Sequence, residues 1–135
     1  MTPRQLTDGH GLVVSTSSDV SATAYVEGVE LLVRLSPEAM TPLRASVESD
    51  PHFELARVAL ACALAAAGMP PEESRCDCWP HSCRASTRRE RQHAEVIRLV
   101  LSGERVRAAV LGREHLHEFP NDILIAHILM SHGIA

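Results

Sequence analysis

The apolar positions of this 135-residue chain recur mainly at three- and four-residue intervals, the period of a helix that buries one stripe. Ser15-Thr16-Ser17-Ser18-Asp19 is a dense helix-start signal, because each side chain accepts from an amide that a first turn leaves unpaired. It predicts a helix to about Leu35 with Val20, Ala24, Gly28, Leu31 and Leu35 on one stripe and Leu32 beside it. Ser36-Pro37 ends it, since a residue before proline avoids helical backbone. Thr41-Pro42 reads as the cap and first position of a helix to about Ser49. Asp50-Pro51 repeats that signal for a helix over roughly 52–67, with Phe53, Ala56, Leu60, Leu64 and Ala67 on one face and Gly68 as its terminator.

Residues 69–86 break every pattern. They hold three prolines, three of the four cysteines and the only tryptophan, and read as a cysteine-rich loop. Thr87-Arg88-Arg89-Glu90 is a capping box. Its helix is expected to reach Ser102, with Ala94, Ile97, Val100 and Leu101 inward. Gly103 makes a turn into a helix over 104–118 that buries Val106, Ala109, Val110 and Leu116. Pro120-Asn121 punctuates, and a last helix runs from about Asp122 to His132. Leu12 to Val14 is the only β-like run and is too short for a convincing strand, so residues 1–14 read as a loose arm. The expectation is one all-α domain over 1–135, built of antiparallel helix pairs.

Composition narrows the function classes. The hydrophobic fraction is 45% but aromatics are only 3%, so helices pack closely with few large anchors. All 13 basic residues are arginine, a bias read as a high-GC, actinobacterial genome. The net charge of −4 argues against nucleic acid, whose binding is mostly phosphate neutralisation. No stretch of about 18 apolar residues would span a bilayer, and no secretory signal opens the chain. The expected location is the cytoplasm, where cysteines serve as thiols, ligands or redox groups rather than structural disulfides.

Two helix pairs separated by proline suggest an internal repeat. The spacing of Gly103, Ala108 and Pro120 fits the turn, small-residue and terminal-proline positions of a tetratricopeptide unit. Glycine allows the hairpin, alanine lets the helices touch, and proline stops the second. Gly11-Leu12-Val13-Val14-Ser15-Thr16-Ser17-Ser18, Asp50-Pro51-His52-Phe53, Thr87-Arg88-Arg89-Glu90-Arg91-Gln92-His93, Phe119-Pro120-Asn121-Asp122 and Ser131-His132 follow in order. On these motifs, which cover most of the chain, it resembles the tetratricopeptide repeat protein 38-like family. The resemblance implies a helical solenoid with a binding role and no established reaction. It also implies an N-terminal, truncated part of such an array. Members usually carry a further helix between the equivalents of Gly68 and Thr87, where this chain has the cysteine-rich stretch.

The candidate chemistry is concentrated there. Cys76, Cys78, His81 and Cys83 place four soft or borderline ligands within eight residues, a set suited to zinc or copper(I). The spacing is cramped for one tetrahedral ion, and copper(I), with two or three thiolates, tolerates it better. Metal binding, a redox or disulfide role, and plain unligated thiols all stay open. Arg75, Arg84, Arg88, Arg89 and Arg91 flank the cluster. Arg84, Arg88 and Arg89 are candidates for an anion site at the helix start; the alternative is a solvated basic face paired with Glu72, Glu73 and Glu90. His93, His127 and His132 read as hydrogen-bonded core residues, and Cys62 as a buried, inert thiol. His115 and His117, two apart, point to different faces and make a poor chelating pair. No phosphate loop, nucleophile elbow or His-Glu-x-x-His helix is present.

Ile123 to Met130 is apolar on nearly every face. An uncovered helix of that kind marks an interface, so Ile123, Leu124, Ile128 and Leu129 are expected to meet a second copy or another protein. The alternative is that this helix folds back into its own core. The leading expectation is a non-catalytic binding or scaffold module, dimeric, that engages a partner protein or peptide. The competing one is a small metal- or thiol-dependent accessory protein or biosynthetic enzyme.

Overall fold

The computed structural model describes residues 6–7, 12–14, 16, 18–68 and 87–133. The cysteine-rich stretch 69–86, with Cys76, Cys78, His81, Cys83 and Arg84, lies outside the described residues.

Among the described residues six α-helices carry the fold: α1 Asp19–Val33, α2 Met40–Ser49, α3 Glu54–Ala66, α4 Arg88–Leu101, α5 Arg105–Glu118 and α6 Ile123–Ser131. Ahead of them β1 Leu6–Thr7 and β2 Val13–Val14 form an antiparallel two-residue ladder, with Leu6 opposite Val14. The loose arm expected over 1–14 is thus partly ordered: Val14 is buried, and backbone pairing made a strand where the side-chain pattern was too short to announce one. Thr16 continues the anchoring by donating to Asp50 Oδ2 at 2.6 Å.

Ser18 caps α1 by accepting from the Ser21 amide at 3.1 Å. The helix stops at Arg34, and Leu35 takes the left-handed conformation at φ 60°. Ser36 N–H then returns to Leu31 O and Leu35 N–H to Leu32 O, a Schellman ending with leucine where glycine is the usual choice. Ser36-Pro37, not Thr41-Pro42, starts the next segment: Ser36 caps a 3₁₀ turn over Pro37–Ala39 that runs into α2. Pro42 is tolerated within the first turn of α2, because no carbonyl there needs its missing N–H. Glu54 begins α3 after a turn through Pro51 and His52. The Thr87–Glu90 capping box is formed in both directions. Gly103, at φ 80°, closes the α4–α5 turn as a second Schellman ending.

Packing departs from the expected stripes most in α1 and α5, and at the end of α3, where Ala67 is exposed. α1 buries Ser21, Ala22, Tyr25, Gly28, Val29 and Leu32, while Val20 and Leu35 are 66% and 75% exposed. Ser21 and Ser46 each donate to the other's backbone carbonyl, at 2.8 and 2.7 Å. A Cβ on Gly28 would lie 2.5 Å from the Leu43 side chain. Small residues thus bring α1 and α2 close, and that outweighs the larger apolar groups of the expected stripe. α5 buries Ala108, Gly112 and His115 and turns Val106 and Val110 outward, at 79% and 52% exposure. A Cβ on Gly112 would meet Leu129 at 2.6 Å, so this small-residue stripe is what admits α6.

Each helix packs on the next, giving a continuous core through Tyr25, Phe53, Leu55, Ile97, Leu124 and Ile125. α1 also touches α6. First and last pairs therefore meet, whereas repeats of an open solenoid contact only their neighbours. That closure corrects the expected interface. Leu124, Ile128 and Leu129 are 1%, 3% and 2% exposed and Ile123 is half-buried, because α6 is covered by the chain itself. The dimer expected from an uncovered α6 loses that basis.

Candidate functional site

Asp122 directly precedes α6, at its N-cap, yet its side chain does not cap the helix. It turns instead into a buried polar cluster between α4 and α5. Asp122 Oδ2 lies 2.7 Å from His93 Nδ1 and 2.7 Å from His115 Nε2. Arg89 Nη1 approaches the same oxygen at 3.4 Å. His115 Nδ1 meets Gln92 Oε1 at 2.8 Å. Both histidines are fully buried, and Arg89 and Asp122 nearly so.

Local sequence explains the placement. The capping box sets the start of α4, and Arg89 and His93 follow four apart on one face of it. The Ala108–Gly112–His115 stripe presses α5 inward and carries its imidazole to the start of α6. The two rings stack edge to face, with centroids 6.1 Å apart, and Phe119 closes against His115 at 5.2 Å.

Burial alone would raise the Asp122 carboxyl. The positive charge of His93, hydrogen bonds from His115 and His93, and the Arg89 guanidinium outweigh it and hold the carboxyl well below the usual carboxylate range. Enclosure leaves no room for an organic substrate to touch these groups. They also offer two imidazole nitrogens and a carboxylate oxygen within 4.8 Å of one another, a set that could hold a metal ion.

A second feature is an apolar groove of about 370 Å³ where the ends of α1, α3 and α6 meet the start of α2. Leu32, Leu35, Pro37, Met40, Ala63 and Ile128 line it, with polar contributions from Ser36, His127, Ser131 and His132.

The sequence-based candidates fall unevenly on these features. Arg89 enters the cluster as a buried partner of Asp122, which removes it from any anion site. Arg88 is exposed and pairs with Glu118. The Glu90 side chain accepts from the Thr87 amide. His93 is the buried, hydrogen-bonded histidine expected. His127 is half-buried in the groove wall and His132 is exposed, since α6 turns them away from the core. Cys62 is half-buried and also lines the groove.

His115 and Asp122 were not anticipated as site residues. His115 was weighed only against His117, although its true partners lie on other helices. Asp122 reads in the sequence as the start of the last helix. The one available signal was that His93 and Asp122 close the two motifs Thr87–His93 and Phe119–Asp122. Among the described residues no helix is long and apolar enough to cross a membrane. None of the known family models matches this chain, nor does any curated protein or any solved structure.

Proposed function

We propose that this chain is a helical-repeat binding module whose groove takes an apolar helical segment of a partner protein. The observation that carries this reading is the groove itself. Its volume of about 370 Å³ falls within the range of about 300–1,000 Å³ typical of ligand sites. Its walls come from four helices, so the fold and not a single loop sets its shape. Leu35, 75% exposed, stands at this groove as an apolar side chain that water does not favour. An amphipathic helix docks on such a surface by inserting side chains spaced three and four apart.

The tetratricopeptide-like reading of the pairs is part of the same proposal. Ala108 is fully buried between a glycine turn at Gly103 and the proline at Pro120, and the Gly28–Leu43 approach gives the first pair an equivalent close contact. The α1–α6 contact makes the array closed rather than extended.

Random-peptide display against the purified chain tests the reading. Selected peptides should carry apolar residues at helical spacing and should lose binding to an Ala66→Arg variant. Ala66 lines the groove and is exposed, so the variant keeps the core. Selected peptides that bind Ala66→Arg as well as the parent chain would overturn the proposal.

A further inference from the structure

We propose that His93, His115 and Asp122 form a binding site for one divalent first-row transition ion, with zinc as the reference ion. It does not depend on the groove reading.

The donor chemistry comes first. Two imidazoles and one carboxylate suit zinc and ferrous iron, and three protein donors leave a position for water. The donors come from three segments, α4, α5 and the start of α6, held by close packing at Ala108 and Gly112. An ion there would be gripped by the fold itself.

The geometry is close to what an ion needs. Both ring nitrogens stand 2.7 Å from Asp122 Oδ2. Zinc bonds of about 2.0–2.2 Å in a tetrahedron space the donors about 3.3 Å apart. The carboxylate therefore has to withdraw from each ring by about half an ångström, and the ring nitrogens, within 4.8 Å of one another, have to settle at the same spacing. Gln92 Oε1 accepts from His115 Nδ1, which leaves Nε2, the nitrogen facing Asp122, as the ligating atom. An outer hydrogen bond of that kind orients nearly every metal-bound imidazole.

Charge does not oppose the ion as strongly as Arg89 first implies. Without an ion, hydrogens on the two facing ring nitrogens hold the rings to the carboxylate. A divalent ion would take the place those hydrogens hold, against a carboxylate that already carries the negative charge Arg89 faces. Arg89, at 3.4 Å, then stays as an outer partner of the carboxylate. His93 turns Nδ1 to the carboxylate, and its Nε2 is buried without a hydrogen-bond partner, so Gln92 is the outer support for one of the two rings only. A cleft of about 10 Å³ between α1 and the start of α6 is lined by Tyr25, Val29 and Asp122 among others. That is about the space one water occupies.

The test uses the full chain without a polyhistidine tag, with all four cysteines replaced by serine to remove competing thiolates. Zinc titration by calorimetry should show one ion per chain. Asp122→Asn and His115→Gln should abolish uptake. Gln92→Leu, which leaves the three ligands in place, should weaken it about 10-fold or more. Absence of zinc uptake by the folded thiol-free chain, or uptake unchanged in His115→Gln, overturns the proposal. If the serine variant does not fold, cobalt titration of the wild-type chain decides. Ligand-field bands without thiolate charge transfer support the site, and charge transfer at every step of the titration overturns it.

Discussion

The two halves of the molecule solve the same packing problem with different chemistry. In each, a glycine lets a leucine in: Gly28 admits Leu43 between α1 and α2, and Gly112 admits Leu129 between α5 and α6. Each half then has buried polar groups to satisfy. The first uses two neutral hydroxyls, Ser21 and Ser46, which answer each other's carbonyls. The second uses a carboxylate that serves two imidazoles and a guanidinium. Neutral pairs are indifferent to pH and to ions. A buried charged cluster is not, because losing one member leaves the others uncompensated. The half built from α4, α5 and α6 is therefore the one able to respond to its surroundings.

Breaking each polar device should expose that difference. Asp122→Ala strands two imidazoles and Arg89 and should cost about 3–5 kcal/mol in urea unfolding. Ser46→Ala, its counterpart in the other half, should cost about 1 kcal/mol. An equal loss in the two variants would mean that the charged cluster has no special weight.

Acid should separate the halves in the same direction. The folded Asp122 carboxyl is held below its ordinary value of 3.8, so the unfolded chain takes up that proton first. Its contribution is fully present above about pH 5 and is lost as pH falls through and below 3.8. In metal-free protein, stability against pH over this window should fall less steeply in Asp122→Asn than in the parent.

The two glycine contacts sharpen the parallel. Gly28→Ala and Gly112→Ala should each cost about 1–3 kcal/mol by overpacking. Pairing Gly28→Ala with Leu43→Ala should cost less than the sum of the single changes, because the clash partner is gone. Strict additivity in denaturant unfolding would refute the contact. The smallest effect is a gain. Leu35→Gly relieves a left-handed leucine at φ 60° and should raise stability by about 0.5–1 kcal/mol, seen as a higher urea midpoint.

Much of the frame could be read from residue order. Ser18, the Thr87–Glu90 box, Gly68 and Gly103 each act on backbone groups within a few residues, and each sits where local chemistry placed it. The inward faces of α1 and α5 were misread for one reason. Both helices bury glycine, alanine and polar residues and leave valines out, and a pattern weighted by hydrophobic size points the other way. The site was harder still. Asp122 reads as the start of an apolar helix, and only the approach of α4 and α5 gives that carboxylate its use.

Helix existence, helix ends and the all-α class follow from interactions that span at most a turn or two, and these are written directly in the order of the residues. The meeting of His93 and His115 with Asp122 depends on contacts 29 and 7 residues apart along the chain, and the covering of α6 also on α1, near the other end of the chain. Their geometry exists only once Gly112 and Ala108 have let the helices close. An apolar helix was visible in the sequence; whether a partner or its own chain would cover it was a question of packing, and packing gave it to the chain itself.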